Sequence, residues 1–226
     1  DLEVLKTQQI AALTTGQVSA MTIEQLASLG VNQIAALSTQ QIAQGFSTSQ
    51  IAALTTMQAR FGLTTAQMAA LSTEQVAALE TEDLASLATN RIAALSTVQI
   101  SLGLTTEQIA ALTPAQVATF NTSQIALGLS TQQVAALTTD QIQALSTEQI
   151  NLGLSTQQIL AMNSSQVFAF KTQQIAALST DQVSVLETED MSVLSTLQVR
   201  AFSTEQIFQG VTTDQVTILS AEQIQA

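Results

Sequence analysis

The chain has 226 residues and a formal net charge of −12, from 17 acidic and 5 basic residues, and it contains no His, Cys, Trp or Tyr. Without clustered Lys and Arg we expect no nucleic-acid partner, and without Cys the chain has no disulfide, thiol nucleophile or thiolate metal site. No run of about 18 apolar residues occurs, so we expect no membrane insertion.

An octapeptide repeat runs through the whole chain. Its phrase is Leu-Ser/Thr-Thr-x-Gln-Ile/Val-Ala-x, as in residues 71–78, and it occurs about 27 times. We number the leucine as position 1 and the glutamine as position 5. A fixed period of this kind indicates a repeat architecture. The pattern predicts one repeat domain over residues 1–226 with no internal linker.

Each octad is predicted to form one short, capped helix. Ser or Thr at position 2 and Gln at position 5 form a capping box, in which each side chain accepts a hydrogen bond from the other residue's amide. Pro114 lies at the first helical position, where a missing N–H costs nothing. Asn121 and Asn163 replace Ser/Thr at position 2. Eleven octads carry Asp or Glu at position 4, where the helix dipole favours negative charge, so the acidity requires no cationic partner.

These helices must stack, because one and a half turns are too short to persist alone. Positions 6 and 1 of adjacent octads share one helix face, which provides the common core. The sequence therefore predicts an all-α fold, a tight solenoid with one helix per 8–9 residues. The alternative is a β-solenoid, since Thr, Ile and Val suit strands, although positions 1 and 6 would then point to opposite faces.

Glycine marks the nine-residue repeats. Six octads have an extra residue, and each carries a Gly just before the next position 1: Gly45, Gly62, Gly103, Gly128, Gly153 and Gly210. We expect these glycines to adopt positive φ at helix C-termini. The 25-residue spacing from Gly103 to Gly128 to Gly153 predicts about three helices per superhelical turn.

Two acidic clusters are the only local concentrations of carboxylate. As weak calcium candidates they comprise Glu80, Glu82, Asp83, Glu187, Glu189 and Asp190. Calcium takes about six to eight oxygen ligands, and these clusters lack the usual alternating spacing, so solvated acids at helix starts are the preferred interpretation. We predict no catalytic residue, no cofactor and no enzymatic activity.

The remaining conspicuous side chains have structural interpretations. The Gln column and the repeated Thr-Thr pairs are both explained first by capping. The alternatives are a Gln ladder between coils and a flat Thr ladder on one face, which would suit ice or polysaccharide. Arg60 and Arg200 share position 7 and are expected in solvent. Core positions are predicted for Phe46, Phe120, Phe170 and Phe202. A lateral contact is the hypothesis for Phe61, Phe168 and Phe208.

The phrase Leu-Thr/Ser-Thr-x-Gln-Ile-Ala-Ala-Leu resembles octapeptide arrays of large, secreted, adhesin-like bacterial proteins of the RTX, type I secreted kind. The resemblance covers the whole chain. It implies a structural role outside the cell or at its surface, and it brings no catalytic residues. Our first hypothesis is a rod in an extracellular fibre or adhesin stalk. The second is a ligand-binding solenoid that uses one face for a peptide, glycan or ice.

Neither end of the sequence shows an atypical polar repeat. The chain opens with Leu2, Val4 and Leu5, and it finishes in phase at residues 221–224. Solenoids normally close their stacks with polar capping repeats. The motif therefore predicts either that the chain is part of a longer array or that its open ends self-associate, head to tail, into filaments.

Overall fold

The computed structural model describes residues 2–225, and every regular element in that range is helical. The α-helices are Thr7–Ala11, Thr15–Ser19, Ile23–Ala27, Val31–Ala36, Thr48–Ala52, Thr65–Ala70, Thr73–Ala77, Thr81–Ser86, Thr89–Ile92, Thr106–Ala111, Pro114–Val117, Thr131–Ala135, Thr139–Ala144, Thr156–Leu160, Ser164–Phe168, Thr172–Ala177, Thr180–Ser184, Thr188–Val193, Thr196–Val199, Thr213–Thr217 and Ala221–Gln225. The other helical segments are the 3-10 turn Leu2–Val4 and the π-helical segments Gln41–Gly45, Gln58–Gly62, Gln99–Gly103, Gln124–Gly128, Gln149–Gly153 and Gln206–Gly210. The all-α prediction is confirmed, and the β-solenoid alternative is wrong for the described residues.

The predicted capping boxes set where the helices begin. At Ser72 the hydroxyl accepts from the Gln75 amide at 3.2 Å, and the Gln75 side chain accepts from the Ser72 amide at 2.9 Å. Pro114 opens its helix at the first position. Asn163 caps the helix Ser164–Phe168 as Ser or Thr does elsewhere. Every octad with such a cap therefore starts a new helix.

The core consists of positions 6 and 1, as the shared helix face predicts. Ile109 at position 6 has no exposed surface, and Leu112 at position 1 of the next octad is 3% exposed. The four phenylalanines predicted to be core are all buried: Phe46, Phe120, Phe170 and Phe202. Within residues 2–225, no helix is long and apolar enough to cross a membrane.

The chain forms two compact units, Asp1–Thr119 and Phe120–Ala226. Within each unit, helices pack on the helices three repeats earlier, so the predicted three helices per turn are confirmed and each unit is a tight α-solenoid. Examples of such pairs are Thr15–Ser19 with Gln41–Gly45, Thr73–Ala77 with Gln99–Gly103, and Thr180–Ser184 with Gln206–Gly210. One uninterrupted domain over residues 1–226 stays a prediction.

The extra residue of a nine-residue repeat is absorbed by a π-helical turn. In the segment Gln99–Gly103, the Leu104 amide donates to the Gln99 carbonyl, five residues back, at 3.0 Å, which is the π-helical pattern. The expectation of positive φ is wrong, because no described glycine has it. Instead, a Cβ on Gly103 would lie 3.0 Å from Cβ of Val76 and 3.1 Å from the Thr73 carbonyl. Glycine is thus required for the close approach of one turn to the next.

We predict that Gly103→Ala destabilises the protein by about 1–3 kcal/mol, because the added methyl group overpacks against the previous turn. The matched control is Gly16→Ala, where the new Cβ would lie 4.0 Å from Oγ1 of Thr14 and meet nothing nearer. Alanine in that helix should stabilise the protein by about 0.5–1 kcal/mol. Urea unfolding of both variants measures the difference, and equal effects would contradict the packing role of Gly103.

Candidate functional site

The glutamine at position 5 makes two sets of hydrogen bonds at once, an arrangement that we call the glutamine clamp. Oε1 of Gln108 accepts from the Thr105 amide at 2.9 Å and so completes the capping box of its own helix. Nε2 of Gln108 donates backwards to the carbonyls of Val76, Ala77 and Leu79, at 3.0, 3.2 and 2.7 Å. These carbonyls lie at the C-terminal end of helix Thr73–Ala77. One carboxamide therefore joins the start of one helix to the end of another in the previous turn.

The clamp recurs along both units. Bonds from Nε2 to carbonyls 28–33 residues earlier are made by Gln33, Gln41, Gln50, Gln58, Gln67, Gln75, Gln99, Gln108, Gln116, Gln149, Gln158, Gln166, Gln174, Gln182, Gln198, Gln206, Gln215 and Gln223. These side chains are at most 8% exposed. Burial of an amide is tolerated only when its polar atoms are hydrogen-bonded, and the clamp meets that condition.

Half of this role is predictable from the sequence. The pattern indicates capping by the Gln column and leaves a ladder between coils as a lesser possibility. Glu would complete a capping box as well as Gln does, yet 24 of the 27 position-5 residues are Gln and none is Glu. Only the amide group adds N–H donors to the capping oxygen. The exclusion of Glu is therefore the signal that identifies the second set of bonds.

We predict that Gln108→Glu destabilises the protein by more than about 2 kcal/mol at pH 7, because the carboxylate faces carbonyls without a donor and is buried. The control is Gln17→Glu in the first turn, where the side chain is exposed and its oxygen accepts from the Thr14 amide. That variant keeps its capping oxygen and should change stability by less than about 0.5 kcal/mol. Chemical denaturation compares the two. Losses of similar size would show that capping alone explains the column.

Two acids replace the clamp glutamine, and both are buried. Asp83 is 3% exposed and Asp190 is 2% exposed. Asp190 accepts from the Ser164 hydroxyl of an earlier turn at 2.9 Å and from the Glu187 amide at 3.3 Å. Oδ2 of Asp83 is buried with no hydrogen-bond partner. At these two positions the contact between turns is therefore weaker than where a clamp glutamine is present.

The remaining calcium candidates differ from these buried acids in exposure. Their side chains are exposed: Glu80, Glu82, Glu187 and Glu189. In residues 2–225 no group of three or more acidic side chains is arranged to hold a metal ion. Calcium binding at the two clusters stays a prediction, and this arrangement adds nothing in its favour.

Burial raises the pKa of both acids that replace a clamp glutamine. For Asp83, desolvation raises the pKa, the Thr56 hydroxyl opposes the shift, and the charges of Glu80 and Glu82 add to it. The pKa of Asp190 is likewise raised by burial and opposed by its hydrogen bonds from Ser164 and Glu187. By contrast, the pKa of the exposed Glu107 carboxyl is lowered, first by its own backbone amide, as expected at a helix start.

We predict that Asp83→Asn raises stability at pH 7. A native pKa above the unfolded value means that the native state binds the proton more tightly, so stability falls as pH rises from about 3.9 through the native pKa. Asn carries no charge and removes this loss. Urea midpoints measured from pH 3 to 7 should converge for parent and variant at pH 3 and separate at pH 7.

Asp140→Asn serves as the control, because Asp140 is an exposed acid at position 4. The helix dipole favours negative charge at this position, so its removal should leave stability at pH 7 unchanged or slightly lower, the opposite sign to Asp83→Asn. A curve for Asp83→Asn that runs parallel to that of the parent would show that the buried carboxyl does not affect stability in this range.

Several large apolar side chains remain at the surface. The three phenylalanines assigned to a lateral contact are exposed by half or more: Phe61 at 50%, Phe168 at 53% and Phe208 at 85%. Arg60 and Arg200 are in solvent, as predicted. The hydroxyls at position 2 are used as helix caps, as at Thr105. The position-2 hydroxyls are therefore occupied by the fold.

The fold and the clamps define a class of protein, an α-helical repeat scaffold whose turns are joined by glutamine side chains. The family model of the ALTTAQ repeat matches residues 1–31, 76–114, 106–139, 127–152 and 152–186. These matches cover more than half of the chain. The chain belongs to the ALTTAQ repeat family.

Other comparisons add little. No curated protein matches the chain. Among solved structures, it is similar to the leucine-rich repeat-containing protein LegL7 from Legionella pneumophila, at 11% identity and a TM-score of 0.28, over 89% of this chain and 77% of that one. A score this low supports no conclusion about fold or function.

Proposed function

We propose that this protein is a non-catalytic structural scaffold of an extracellular or cell-surface fibre, and that its copies join head to tail. The observation that carries the proposal is the glutamine clamp. Nearly every repeat uses its most constant polar residue to attach one turn to the previous one, as Gln108 does. A chain built in this way is specialised for extending a stack, since each repeat contacts mainly its neighbours.

The first and last turns of the described chain expose side chains that are buried between turns elsewhere in the chain. In the first turn, the clamp glutamines are exposed: Gln9, Gln17 and Gln25. In the last turn, the position-6 side chains are 48–64% exposed: Ile207, Val216 and Ile224. Their counterparts in earlier repeats, such as Ile109, are fully buried. Another turn of the same repeat, from the same chain or from a second copy, would cover either surface. A head-to-tail contact between copies does not close, so it propagates as a filament.

The extracellular location and the adhesin character rest on the resemblance of the repeated phrase to secreted bacterial arrays. The net charge of −12 keeps the chain soluble and by itself opposes association of copies. At physiological salt the Debye length is about 8 Å, so repulsion between distant charges of two copies is largely screened.

We predict concentration-dependent assembly that depends on the last turn. Sedimentation velocity at 150 mM NaCl should show growing species as protein concentration rises, and electron microscopy should show filaments. Val216→Glu, which places a charge on the exposed apolar surface of the last turn, should leave only the smallest species, because the charge would be buried without a partner in the contact.

Val98→Glu is the matched control. Val98 is 56% exposed and occupies position 4, where Glu is common, so the same change of charge should leave assembly intact. A single small species for the parent at all concentrations would remove the head-to-tail contact from the proposal, and the scaffold role would then rest on the clamp alone.

A second candidate is a ligand-binding solenoid that uses one face. The observation in its favour is a pair of exposed leucines, Leu127 at 74% and Leu152 at 65%, on the stacked segments Gln124–Gly128 and Gln149–Gly153. Glycan-array and ice-recrystallisation measurements test this function. Binding that is lost in the double variant Leu127→Gln and Leu152→Gln would favour it over a purely structural role.

A further inference from the structure

Two of the five basic residues line a single surface pocket in the first unit. Arg60 lies in the segment Gln58–Gly62, and Arg91 lies in helix Thr89–Ile92. Together with Phe61 they line a pocket of about 410 Å³. The Arg60 guanidinium lies 5.0 Å from the centre of the Phe61 ring, a cation–π distance that orients the guanidinium beside the pocket.

Only a small part of the hydrogen-bonding capacity of Arg91 is used by the fold. Arg91 replaces a clamp glutamine, and its Nη1 donates to the Arg60 carbonyl. The equivalent clamp in the second unit is Gln198, whose Nε2 donates to the Phe168 carbonyl at 2.8 Å. A guanidinium has five N–H donors, so Arg91 provides the bond that Gln198 provides and keeps four N–H groups for other partners.

Neither guanidinium is neutralised by the protein. The chain has 17 acidic residues against 5 basic ones, yet among the described residues no carboxylate forms an ion pair with Arg60 or Arg91. The pocket also offers the hydroxyl of Thr89. Two like charges that share a site repel each other, and an anion between them turns this repulsion into attraction.

We propose that this pocket binds an acidic peptide, with a carboxylate held by Arg60 and Arg91 and a neighbouring apolar side chain resting on Phe61. The planar guanidinium matches a carboxylate in a bidentate pair. Phe61 is 50% exposed and provides the apolar surface beside the charges. The inference holds whether or not copies of the chain join head to tail.

The second unit contains an uncharged counterpart. There, Phe168 is 53% exposed and lines a pocket of about 670 Å³ with Ser164 and Val193, without any basic side chain in its lining. The counterpart has the aromatic ring without the guanidinium pair. It serves as an internal reference within the same molecule, since an acidic peptide should leave the signals of Phe168 unchanged.

The test is an NMR titration of the full chain with the peptide acetyl-Leu-Glu-Glu-amide and with its neutral analogue acetyl-Leu-Gln-Gln-amide. The acidic peptide should shift the Arg60, Arg91 and Phe61 resonances, and added NaCl should weaken it. Arg91→Gln should weaken binding about tenfold or more, because it removes charge-assisted hydrogen bonds. This variant restores the usual clamp residue, so it should fold, as its far-UV circular dichroism will verify.

Arg60→Ala, which installs a residue common at position 7, should weaken binding to a similar extent. The control Arg200→Ala removes the same charge from the same octad position elsewhere and should leave affinity unchanged. The proposal is overturned if the neutral peptide binds equally well, if Arg200→Ala weakens binding as much as Arg91→Gln, or if inorganic phosphate competes as strongly as the peptide, because the site would then recognise any anion.

Discussion

The bond between a glutamine Nε2 and the backbone carbonyls of the previous turn is the interaction on which the rest of the structure depends. A helix of four to six residues leaves about four amides and four carbonyls without a partner inside the helix, which is more groups than it has residues, and it cannot persist alone. The carboxamide of Gln108 satisfies both kinds of group, since its oxygen accepts at the start of one helix and its nitrogen donates to the end of another. Buried polar groups are thereby paired at the place where the turns meet, and the apolar core of positions 6 and 1 can close around them.

Close approach of the turns is the second constraint, and it explains the composition of the repeat. Nine-residue repeats place a glycine directly against the previous turn, as Gly45 lies against Val18, and their extra residue is accommodated by a π-helical turn. The backbone thus changes its local helix type to keep the turns in contact. Where Asp83 and Asp190 replace the clamp glutamine, burial raises the pKa of each carboxyl and so disfavours its charged form.

Much of the fold could be predicted from the sequence, because the relevant interactions are local. The capping boxes, the shared face of positions 6 and 1, and the 25-residue glycine spacing indicate short helices, their core and three repeats per turn. The conformation of Gly103 could not be predicted in this way, since its requirement arises from Val76 and Thr73 in another turn. The partners of the glutamine Nε2 atoms are likewise set by the stacking. The same holds for the pocket of Arg60 and Arg91, whose residues are separated by three helices in sequence.

Between turns, Nε2 of the clamp glutamine binds only backbone carbonyl oxygens, and this has a consequence for how such proteins evolve. Every amino acid carries a carbonyl group, so the contact between turns imposes little requirement on the side chains that occupy the previous turn. As far as this contact is concerned, one repeat can therefore stand in place of another. Recombination between similar stretches of the gene can add or remove turns, and the backbone carbonyls at the new boundary can still accept hydrogen bonds from the clamp glutamines. The length of the array is consequently free to vary while its cross-section stays constant.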